Sequence, residues 1–334
     1  MMATTGSVAA LGEAGLLERI RGALGGAWPH VALGIGDDAA LLRQLGPTAV
    51  VCADMLVEEV DFSWAWAGYA DVGHKAAAVA LSDLAAMGAQ PRGLLVCLAL
   101  GGDCRVEDVL TLLRALHAVG AGFGAPVVGG DLSSTRGPLV LAVTAVGAVE
   151  PGAVLRRHGA RVGDRVLVSG PLGGAAAGLQ RLRCGEFSEP ELAVRQLRPT
   201  PRVALGRALG AWGRVTACAD ISDGLVRDCA HLVEPGCGVV LRADAIPCAF
   251  GVAAVAQALG VPPWQLAACG GEDFELVFSL PPGCGAEAQA VARASGSAPL
   301  EVGVVVSGSG VRVEGAGSDF AAAGFDHFAD ARKV

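Results

Sequence analysis

Apolar and polar positions alternate along the chain in two kinds of pattern. Apolar residues at helical spacing predict helices over residues 14–24, 74–88 and 106–121. Short apolar runs between them predict strands over 48–53, 94–100, 126–128 and 139–149. Later segments predict strands over 165–169, 239–242, 275–279 and 302–306, and helices from about 173 and over 201–209, 224–233 and 250–259. This succession of strands and helices indicates an α/β (α+β) protein.

A cluster of turn residues, Glu150-Pro151-Gly152, separates two of these series. The chain has 334 residues, which is longer than one ordinary domain. We therefore expect two domains, over residues 1–150 and 151–334.

Composition narrows the class of protein. Hydrophobic residues make up 52% of the chain and aromatic residues only 4%, so the interior must consist mainly of Ala, Val and Leu. The net charge is −8, and no Lys/Arg-rich run is present, which argues against nucleic-acid binding. The apolar runs are shorter than a membrane helix requires, and the first residues lack the pattern of an export signal. We expect a cytoplasmic protein with no membrane partner.

The ten cysteines show no CxxC pair and no zinc-like spacing. This distribution argues against a metal–thiolate site and against a disulfide framework. The sequence therefore predicts reduced thiols that are mostly buried.

Aspartates recur where the predicted elements end or turn. Asp37 and Asp38 lie in a Gly-flanked turn, Asp54 follows a strand, Asp83 lies within an apolar helix, and Asp131 follows a Gly pair. A buried carboxylate needs a cation, a hydrogen-bond donor or a proton, and capping of a helix or turn is the alternative for any one of them. Because Mg²⁺ is commonly shared between carboxylates and phosphates, several aspartates converging on one cleft suit a polyphosphate ligand.

A second acidic group lies in the segment ADISDG. It contains Asp220 and Asp223, and either Asp223 or Ser222 can serve as the N-cap of the helix predicted from Gly224. Capping and metal binding are compatible here, so both interpretations stay open.

Several candidate phosphate contacts have structural alternatives. The segment VLVSGPLGGAAAG, residues 166–178, resembles a strand, a Gly-rich turn and a helix start, whose free N–H groups can hold an anion, but close helix packing explains it equally well. It matches neither a Walker loop nor a dinucleotide fingerprint. Arg156 and Arg157 can clamp a phosphate or lie on the surface of a domain junction. His74 and Lys75 can contact phosphate or be solvated residues at a helix start.

Seven segments taken together resemble one family. In order they read GIGDDAA, HKAAAVALSDLAAMGAQP, VVGGD, LRRHGARVGD, ADISDGL, GGEDFEL and GFDHF, and they match the signature of thiamine-monophosphate kinases across nearly the whole chain. The resemblance implies a two-domain aminoimidazole ribonucleotide synthetase-like fold, with N-terminal sheets pairing into a barrel across a homodimer. It also implies that the N-terminal domain binds ATP and Mg²⁺ and dimerises, while the C-terminal α/β domain completes the nucleotide and substrate site.

The resemblance assigns roles to particular residues. It implies several Mg²⁺ ions held by Asp38, Asp54, Asp83, Asp131, Asp220 and Asp223, with Asp37 a neighbour of uncertain role. ATP contacts would come from Gly130, Asp131, Arg157 and Ser222, and catalytic roles from Asp54, Asp83, Asp131 and Arg157. Glu272 and Phe325 match contacts to the thiamine phosphate, and Phe325 can stack on its rings or belong to the core.

Three departures from the family pattern concern the acceptor. Asp61 stands in place of a histidine linked to the substrate, and its charge would repel a phosphate or attract the thiazolium cation. Ala53 replaces a hydroxyl residue, and Leu132-Ser133 replaces a Thr pair.

The resemblance implies direct transfer of the γ-phosphoryl of ATP to thiamine monophosphate, giving thiamine diphosphate. The alternatives are a non-catalytic nucleotide-binding regulator and another ATP-dependent synthetase of the same superfamily.

Overall fold

The structure, a computed structural model, describes residues 7–316 apart from 34, 36–39, 44–45 and 187–189. The chain forms two compact units, Met1–Leu84 with Gln90–Val149 (unit 1) and Ala85–Ala89 with Glu150–Val334 (unit 2). Both units combine helices with a mixed sheet, so the α/β prediction is confirmed.

Unit 1 contains three helices and six strands in its described residues. The helices are α1 (Val8–Leu24), α2 (Tyr69–Ala86) and α3 (Val106–Gly122). The strands are β1 (Val31–Leu33), β2 (Leu41–Leu42), β3 (Thr48–Val57), β4 (Gln90–Leu100), β5 (Val127–Ser134) and β6 (Val140–Val149). The first two form a small ribbon, and the others form a sheet in the order β3-β6-β4-β5. Within that sheet β4 and β5 are parallel and the remaining pairs are antiparallel.

The two faces of the unit 1 sheet differ in burial. Side chains alternate between the faces of a strand, and Leu56, Val96 and Val143 are buried on one face, which α2 covers. On the other face Val51 and Met55 are 63% and 58% exposed. The sheet therefore has one packed face and one open apolar face within a single chain.

Close packing of α2 against α3 depends on a glycine. A Cβ added at Gly73 would lie 2.0 Å from the backbone oxygen of Leu112, so no larger residue can occupy this crossing. The small side chains of α2 (Ala76, Ala77, Ala78 and Ala80) are fully or almost fully buried. The Ala-rich sequence thus lets the helix lie close to its neighbours.

Unit 2 contains seven α-helices and six strands in its described residues. The helices are α4 (Gly174–Arg183), α5 (Pro190–Leu197), α6 (Val203–Trp212), α7 (Leu225–Cys229), α8 (Val252–Leu259), α9 (Pro263–Cys269) and α10 (Gly285–Arg293). The strands are β7 (Arg165–Val168), β8 (Ala217–Asp220), β9 (Cys237–Arg242), β10 (Leu276–Leu280), β11 (Leu300–Ser307) and β12 (Gly310–Glu314). They form one sheet in the order β12-β9-β11-β7-β10-β8, in which only the β12–β9 pair is parallel.

The core of unit 2 consists of aliphatic side chains from both the sheet and its helices. Val166, Val168, Val239, Leu241 and Val277 are buried together in one cluster. The aromatic residues buried in the described part of the chain are Phe62, Phe274 and Phe278. The prediction of an interior built from Ala, Val and Leu is confirmed.

The burial of the thiols differs from the expectation. All ten cysteines are free, but only Cys218 and Cys229 are buried, and Cys97 and Cys184 are exposed. The prediction that the thiols are mostly buried is therefore wrong.

No single helix among the described residues has the length and apolar composition of a membrane span, whereas α8 and α9 pass that test only as a pair bent by 100°.

Candidate active site

Asp54 and Asp83 lie together in unit 1, around the thiol of Cys52. Cys52 and Asp54 occupy alternate positions of β3, and the Cys52 Sγ donates to the carbonyl of Ala80 in α2, 3.3 Å away. Burial raises the pKa of the Cys52 thiol, and the charges of Asp83 and Asp54 and a hydrogen bond with Asp83 raise it further. The two carboxylates are therefore close enough to act on the same group.

The positions of these two aspartates differ in part from the sequence prediction. Asp54 does not end its strand, because β3 continues to Val57. Asp83 lies within α2 as predicted. Both carboxylates are held by regular elements, which fixes their backbones without help from a loop.

Gly130 and Asp131 lie within the edge strand β5, not after it, because the strand runs on to Ser134. Asp131 pairs with Cys97 of β4 and is exposed. A Cβ added at Gly130, whose φ is 153°, would lie 1.9 Å from the backbone oxygen of Val96. Only glycine fits this close strand pairing, so the Gly pair before Asp131 has a structural cause as well as a possible ligand contact.

A small apolar cavity adjoins these two residues. Its volume is about 70 Å³, and Gly130 and Asp131 share its lining with apolar side chains of α1, α3 and β4. A cavity of this size holds at most a few small groups, so it does not by itself define a nucleotide site.

Asp61 closes a turn after β3. Its Oδ2 accepts the N–H of Val57 at 2.7 Å, and Glu59 in the same turn has a φ of 64°. Lys75 is 2% exposed and donates from Nζ to the backbone oxygen of Asp61, 3.3 Å away. Because α2 begins at Tyr69, the description of His74 and Lys75 as solvated residues at a helix start is wrong.

The ADISDG segment of unit 2 forms a turn that a buried carboxylate holds in place. Asp228 is 4% exposed, and its Oδ2 accepts the N–H groups of Ser222 and Asp223, each at 3.0 Å. The pKa of Asp228 is raised to about 7, chiefly by burial and also by the charges of Asp220 and Asp223, against the lowering effect of the two N–H bonds. Neither Ser222 nor Asp223 caps α7, whose N-cap is Gly224 without a side-chain bond. The capping interpretation is therefore wrong.

Basic side chains surround this turn. Arg227 Nε lies 3.5 Å from Asp223 Oδ2. Burial lowers the pKa of His231, and the charge of Arg157 lowers it further, while that of Asp223 raises it. The structure thus brings Arg157, Asp220, Ser222 and Asp223 into one neighbourhood of unit 2.

The GGEDFEL segment packs directly on this turn. The N–H groups of Glu272 and Phe274 donate to the backbone oxygens of Ser222 and Ile221, at 2.8 and 3.0 Å. Glu272 and Phe274 have φ values of 66° and 49°, a region that costs energy for residues other than glycine. The Glu272 side chain accepts a hydrogen bond from Gln196. Glu272 therefore lies beside the aspartate turn.

Two N–H donors in the Gly-rich turn of unit 2 are occupied. Asp273 Oδ2 accepts the N–H of Gly173 at 2.6 Å, and Asp273 Oδ1 accepts that of Ala175 at 3.1 Å, at the start of α4. The pKa of Asp273 is raised to about 7, chiefly by burial, against the lowering effect of these two bonds. The acceptor at this helix start is thus a carboxyl group of the chain itself, and the phosphate-binding interpretation of GPLGGAAAG is wrong for these donors.

The described residues do not bring all the predicted metal ligands together. Among the described residues, no group of three or more His, Cys, Asp or Glu side chains is arranged to hold a metal ion. Asp37, Asp38 and Phe325 lie outside the described residues. Asp54 and Asp83 both act on Cys52, Asp220 and Asp223 both act on Asp228, and Asp131 lies apart on β5. Two neighbouring carboxylates are a donor set that suits Mg²⁺, which commonly takes one or two carboxylates and completes its octahedral shell with water and phosphate oxygens.

Sequence reasoning missed the carboxylates that support the site. Asp228 and Asp273 each hold a turn, and Glu275 is buried in contact with Arg202 and Ser169. The sequence feature that could have indicated these acids is their position next to apolar residues in the segments DISDGLVRD and GGEDFEL. Nothing in the sequence indicated which N–H groups they would bind.

Comparison with known proteins decides the family. The N-terminal domain model of AIR synthase related proteins matches residues 36–149, and the C-terminal domain model matches residues 161–316. The thiamine-monophosphate kinase of Rhodopirellula baltica is 33% identical over 293 residues, which cover 85% of this chain and 86% of that protein. The chain belongs to the thiamine-monophosphate kinase family.

Two solved structures show the same fold. The thiamine-monophosphate kinase of Stenotrophomonas maltophilia matches with a TM-score of 0.80 and 34% identity over 90% of this chain and 96% of that one. AaThiL, solved in complex with AMPPCP and TMP, matches with a TM-score of 0.73 and 30% identity over 97% of this chain and 98% of that one. The two-domain AIR synthase-like α/β fold of the thiamine-monophosphate kinase family is thereby confirmed for this chain.

Proposed function

We propose that this chain phosphorylates thiamine monophosphate with ATP, forming thiamine diphosphate and ADP in thiamine diphosphate biosynthesis. The observation that carries the proposal is the similarity to thiamine-monophosphate kinases along 85% of the chain. The complex of AaThiL with AMPPCP, an analogue of ATP, and TMP supports the same pair of substrates.

The acceptor needs charge neutralisation more than proton removal. A phosphate monoester has its second pKa near ~6, so its oxygen is already a nucleophile at neutral pH. Two polyanions must approach each other, and bound Mg²⁺ would neutralise the phosphate charge that grows during transfer. The carboxylates of Asp54, Asp83, Asp131, Asp220 and Asp223, with Asp38, would hold those ions.

The remaining residues bind and orient the substrates. Gly130 and Ser222 would contact ATP through backbone and hydroxyl groups, and the guanidinium of Arg157 would contact its phosphate oxygens. Glu272, Asp61 and Phe325 would contact thiamine monophosphate. The Asp61 carboxylate accepts a hydrogen bond from the N–H of Val57, which holds it in the place where it would contact the acceptor.

We propose that the open face of the unit 1 sheet pairs with a second copy of the chain. Exposed Val51 and Met55 on a four-stranded sheet form an apolar surface that water solvates poorly. A homodimer in which two such sheets form a barrel would bury it, and residues 1–150 would then combine dimerisation with ATP and Mg²⁺ binding. Residues 151–334 would complete the nucleotide and substrate site. Ten free thiols suit a reducing cytoplasm.

The decisive test is a mass-spectrometric assay with ATP and Mg²⁺. Thiamine monophosphate, thiamine and aminoimidazole-pathway substrates are offered side by side. We expect thiamine diphosphate from the first alone, and its absence under conditions where ATP still binds would leave a non-catalytic nucleotide-binding regulator. The departures at Asp61, Ala53 and Leu132-Ser133 are the observations that favour this second candidate.

A further inference from the structure

Gln196 is a buried amide where two helices of unit 2 pack together. It lies near the end of α5 and is 1% exposed. Helix α5 approaches α4 closely, because a Cβ added at Gly178 would lie 2.1 Å from the backbone oxygen of Leu192 and 3.3 Å from the Cβ of Gln196. The backbone of Gln196 therefore has a fixed place against α4.

The side chain of Gln196 reaches a residue 76 positions further along the chain. Its Nε2 donates a hydrogen bond to Glu272 Oε2. An ionised carboxylate has acceptors only, so the amide must direct its NH₂ group at Glu272. Hydrogen bonds to charged groups are stronger than those between neutral groups. The bond therefore fixes one oxygen of the Glu272 carboxylate.

This orientation leaves the other polar atom of the amide unpaired. Gln196 Oε1 is buried and accepts no hydrogen bond from the part of the chain that the structure describes. A buried acceptor without a donor lowers stability, whereas an apolar side chain of the same shape carries no such cost. Gln196 is thus poorly suited to packing alone, and residues that break a packing rule in this way are expected at functional sites.

The backbone of Glu272 is constrained together with its side chain. Its φ is 66°, and its N–H donates to the backbone oxygen of Ser222 at 2.8 Å. A residue other than glycine keeps such a conformation only where the surrounding contacts hold it. Main-chain and side-chain contacts therefore act together on the direction of the Glu272 carboxylate.

We propose that Gln196 is a positioning residue that holds the Glu272 carboxylate where it contacts thiamine monophosphate. The inference rests on the proposed function, in which Glu272 binds the acceptor. Gln196 itself touches neither substrate, because its side chain is buried within unit 2. Glu272 is not among the residues proposed to hold Mg²⁺ or ATP, so Gln196 should affect the acceptor and not the nucleotide.

The test is steady-state kinetics with ATP, Mg²⁺ and thiamine monophosphate. Gln196→Met keeps the approximate shape of the side chain and removes the donor, while Gln196→Glu places a second carboxylate against Glu272. We expect kcat/KM for thiamine monophosphate to fall about tenfold in Gln196→Met, since the lost bond is to a charged group, and further in Gln196→Glu, because like charges repel. The KM for ATP should stay that of the parent.

Gln289→Met is the matched control. Gln289 lies on α10, and its Nε2 also donates to an acceptor within the chain, the backbone oxygen of Pro299. None of the residues proposed to bind Mg²⁺, ATP or the acceptor is on α10. We expect this variant to keep the kcat/KM of the parent for both substrates.

Thermal melting separates positioning from packing. Gln196→Met removes a buried unpaired oxygen together with one hydrogen bond, so we expect a melting temperature close to that of the parent. A variant that melts well below the parent but keeps kcat/KM for thiamine monophosphate would make Gln196 purely structural and overturn the proposal. Equal losses for ATP and for thiamine monophosphate would overturn it too.

A double-mutant cycle checks that the effect passes through Glu272. In a Glu272→Ala background, Gln196→Met should lower kcat/KM no further, and an additive loss would contradict the proposal. Calorimetric titration of the parent with thiamine monophosphate and AMPPCP tests the function beneath it. A parent that neither binds nor phosphorylates thiamine monophosphate overturns the proposed function and this inference together, whereas an active parent that Gln196→Met leaves unaffected overturns this inference alone.

Discussion

Two turns of unit 2 are held in the same way by buried carboxyl groups, yet they differ in the groups that are left to bind a ligand. Asp273 accepts N–H groups at the start of α4, and Asp228 accepts those of Ser222 and Asp223. In the Gly-rich turn Asp273 takes up the N–H groups of Gly173 and Ala175. In the aspartate turn Asp228 binds only backbone N–H groups, so the carboxylate of Asp223 is still accessible and is 33% exposed. Glycine content alone is therefore a poor guide to a phosphate site, because another segment can fill it.

The carboxylates of unit 1 extend this comparison, because a regular strand and a regular helix hold their backbones. Asp83 lies on a regular helix and should act directly on bound Mg²⁺. We expect Asp83→Asn to lower kcat by at least about a hundredfold, since metal charge stabilisation is worth several kcal/mol. Steady-state kinetics with ATP and thiamine monophosphate measure this, with Asp103→Asn, an exposed acid of the same unit, as control. Near-normal turnover in a folded Asp83→Asn protein would remove Asp83 from the site.

Removing the support of the aspartate turn should have the next largest effect. Asp228→Ala leaves two N–H groups of Ser222 and Asp223 without their acceptor, so the turn loses its geometry. We expect kcat/KM for ATP to fall on the order of tenfold and the Mg²⁺ concentration for half-maximal rate to rise. Asp228→Asn keeps an acceptor oxygen and should restore part of the activity.

If Asp228→Ala and Asp228→Asn behave alike, the charge of Asp228 matters and its hydrogen bonds do not. A drop in stability with unchanged kinetics would instead make Asp228 a purely structural residue.

The same truncation at the Gly-rich turn should affect stability instead. Asp273→Ala removes the acceptor at the start of α4, and loss of such a cap costs about 1–2 kcal/mol. Urea unfolding measures the loss, and kcat should stay within a few-fold of the parent. A collapse of kcat without loss of stability would show that the Gly-rich turn takes part in the reaction after all.

The pH dependence of stability separates the ionised from the neutral form of Asp273. Its pKa of about 7 in the fold lies above the ordinary value of 3.8, so between these values the unfolded chain is ionised while the folded chain keeps the proton. The contribution of this group to stability therefore falls as pH rises from about 4 to about 7. We expect the stability of Asp273→Asn relative to the parent to increase over that interval. A difference independent of pH would contradict the raised pKa.

The smallest expected effect concerns Asp61. Asp61→Asn keeps an acceptor for the N–H of Val57 but removes the charge beside the proposed acceptor phosphate. We expect KM for thiamine monophosphate to fall about threefold, because one charge several ångströms away is worth roughly 1 kcal/mol in a hydrated site. A higher KM would show that Asp61 attracts the thiazolium cation, and Glu59→Gln in the same turn is the control.

The sequence predicted most regular elements because they depend on local patterns. The strand over 139–149 and the helix over 106–121 agree with β6 and α3 to within one residue. Helices α5, α9 and α10 were missed. Each is short, and its apolar residues can be recognised as a buried face only when the surface that it packs against is known. The strand β5 was cut short at Val128, because glycines in a strand resemble a turn when the partner strand is unknown.

The amino-acid sequence by itself determined the family, the α/β class and the aliphatic composition of the core, since these follow from ordered motifs and from periodicity along the chain. Only the tertiary structure decided which polar groups meet. Asp273 reaches Gly173 across 100 positions of the chain, and it closes a turn that the sequence left open. A hydrogen bond depends on distance in space, which a linear pattern does not contain.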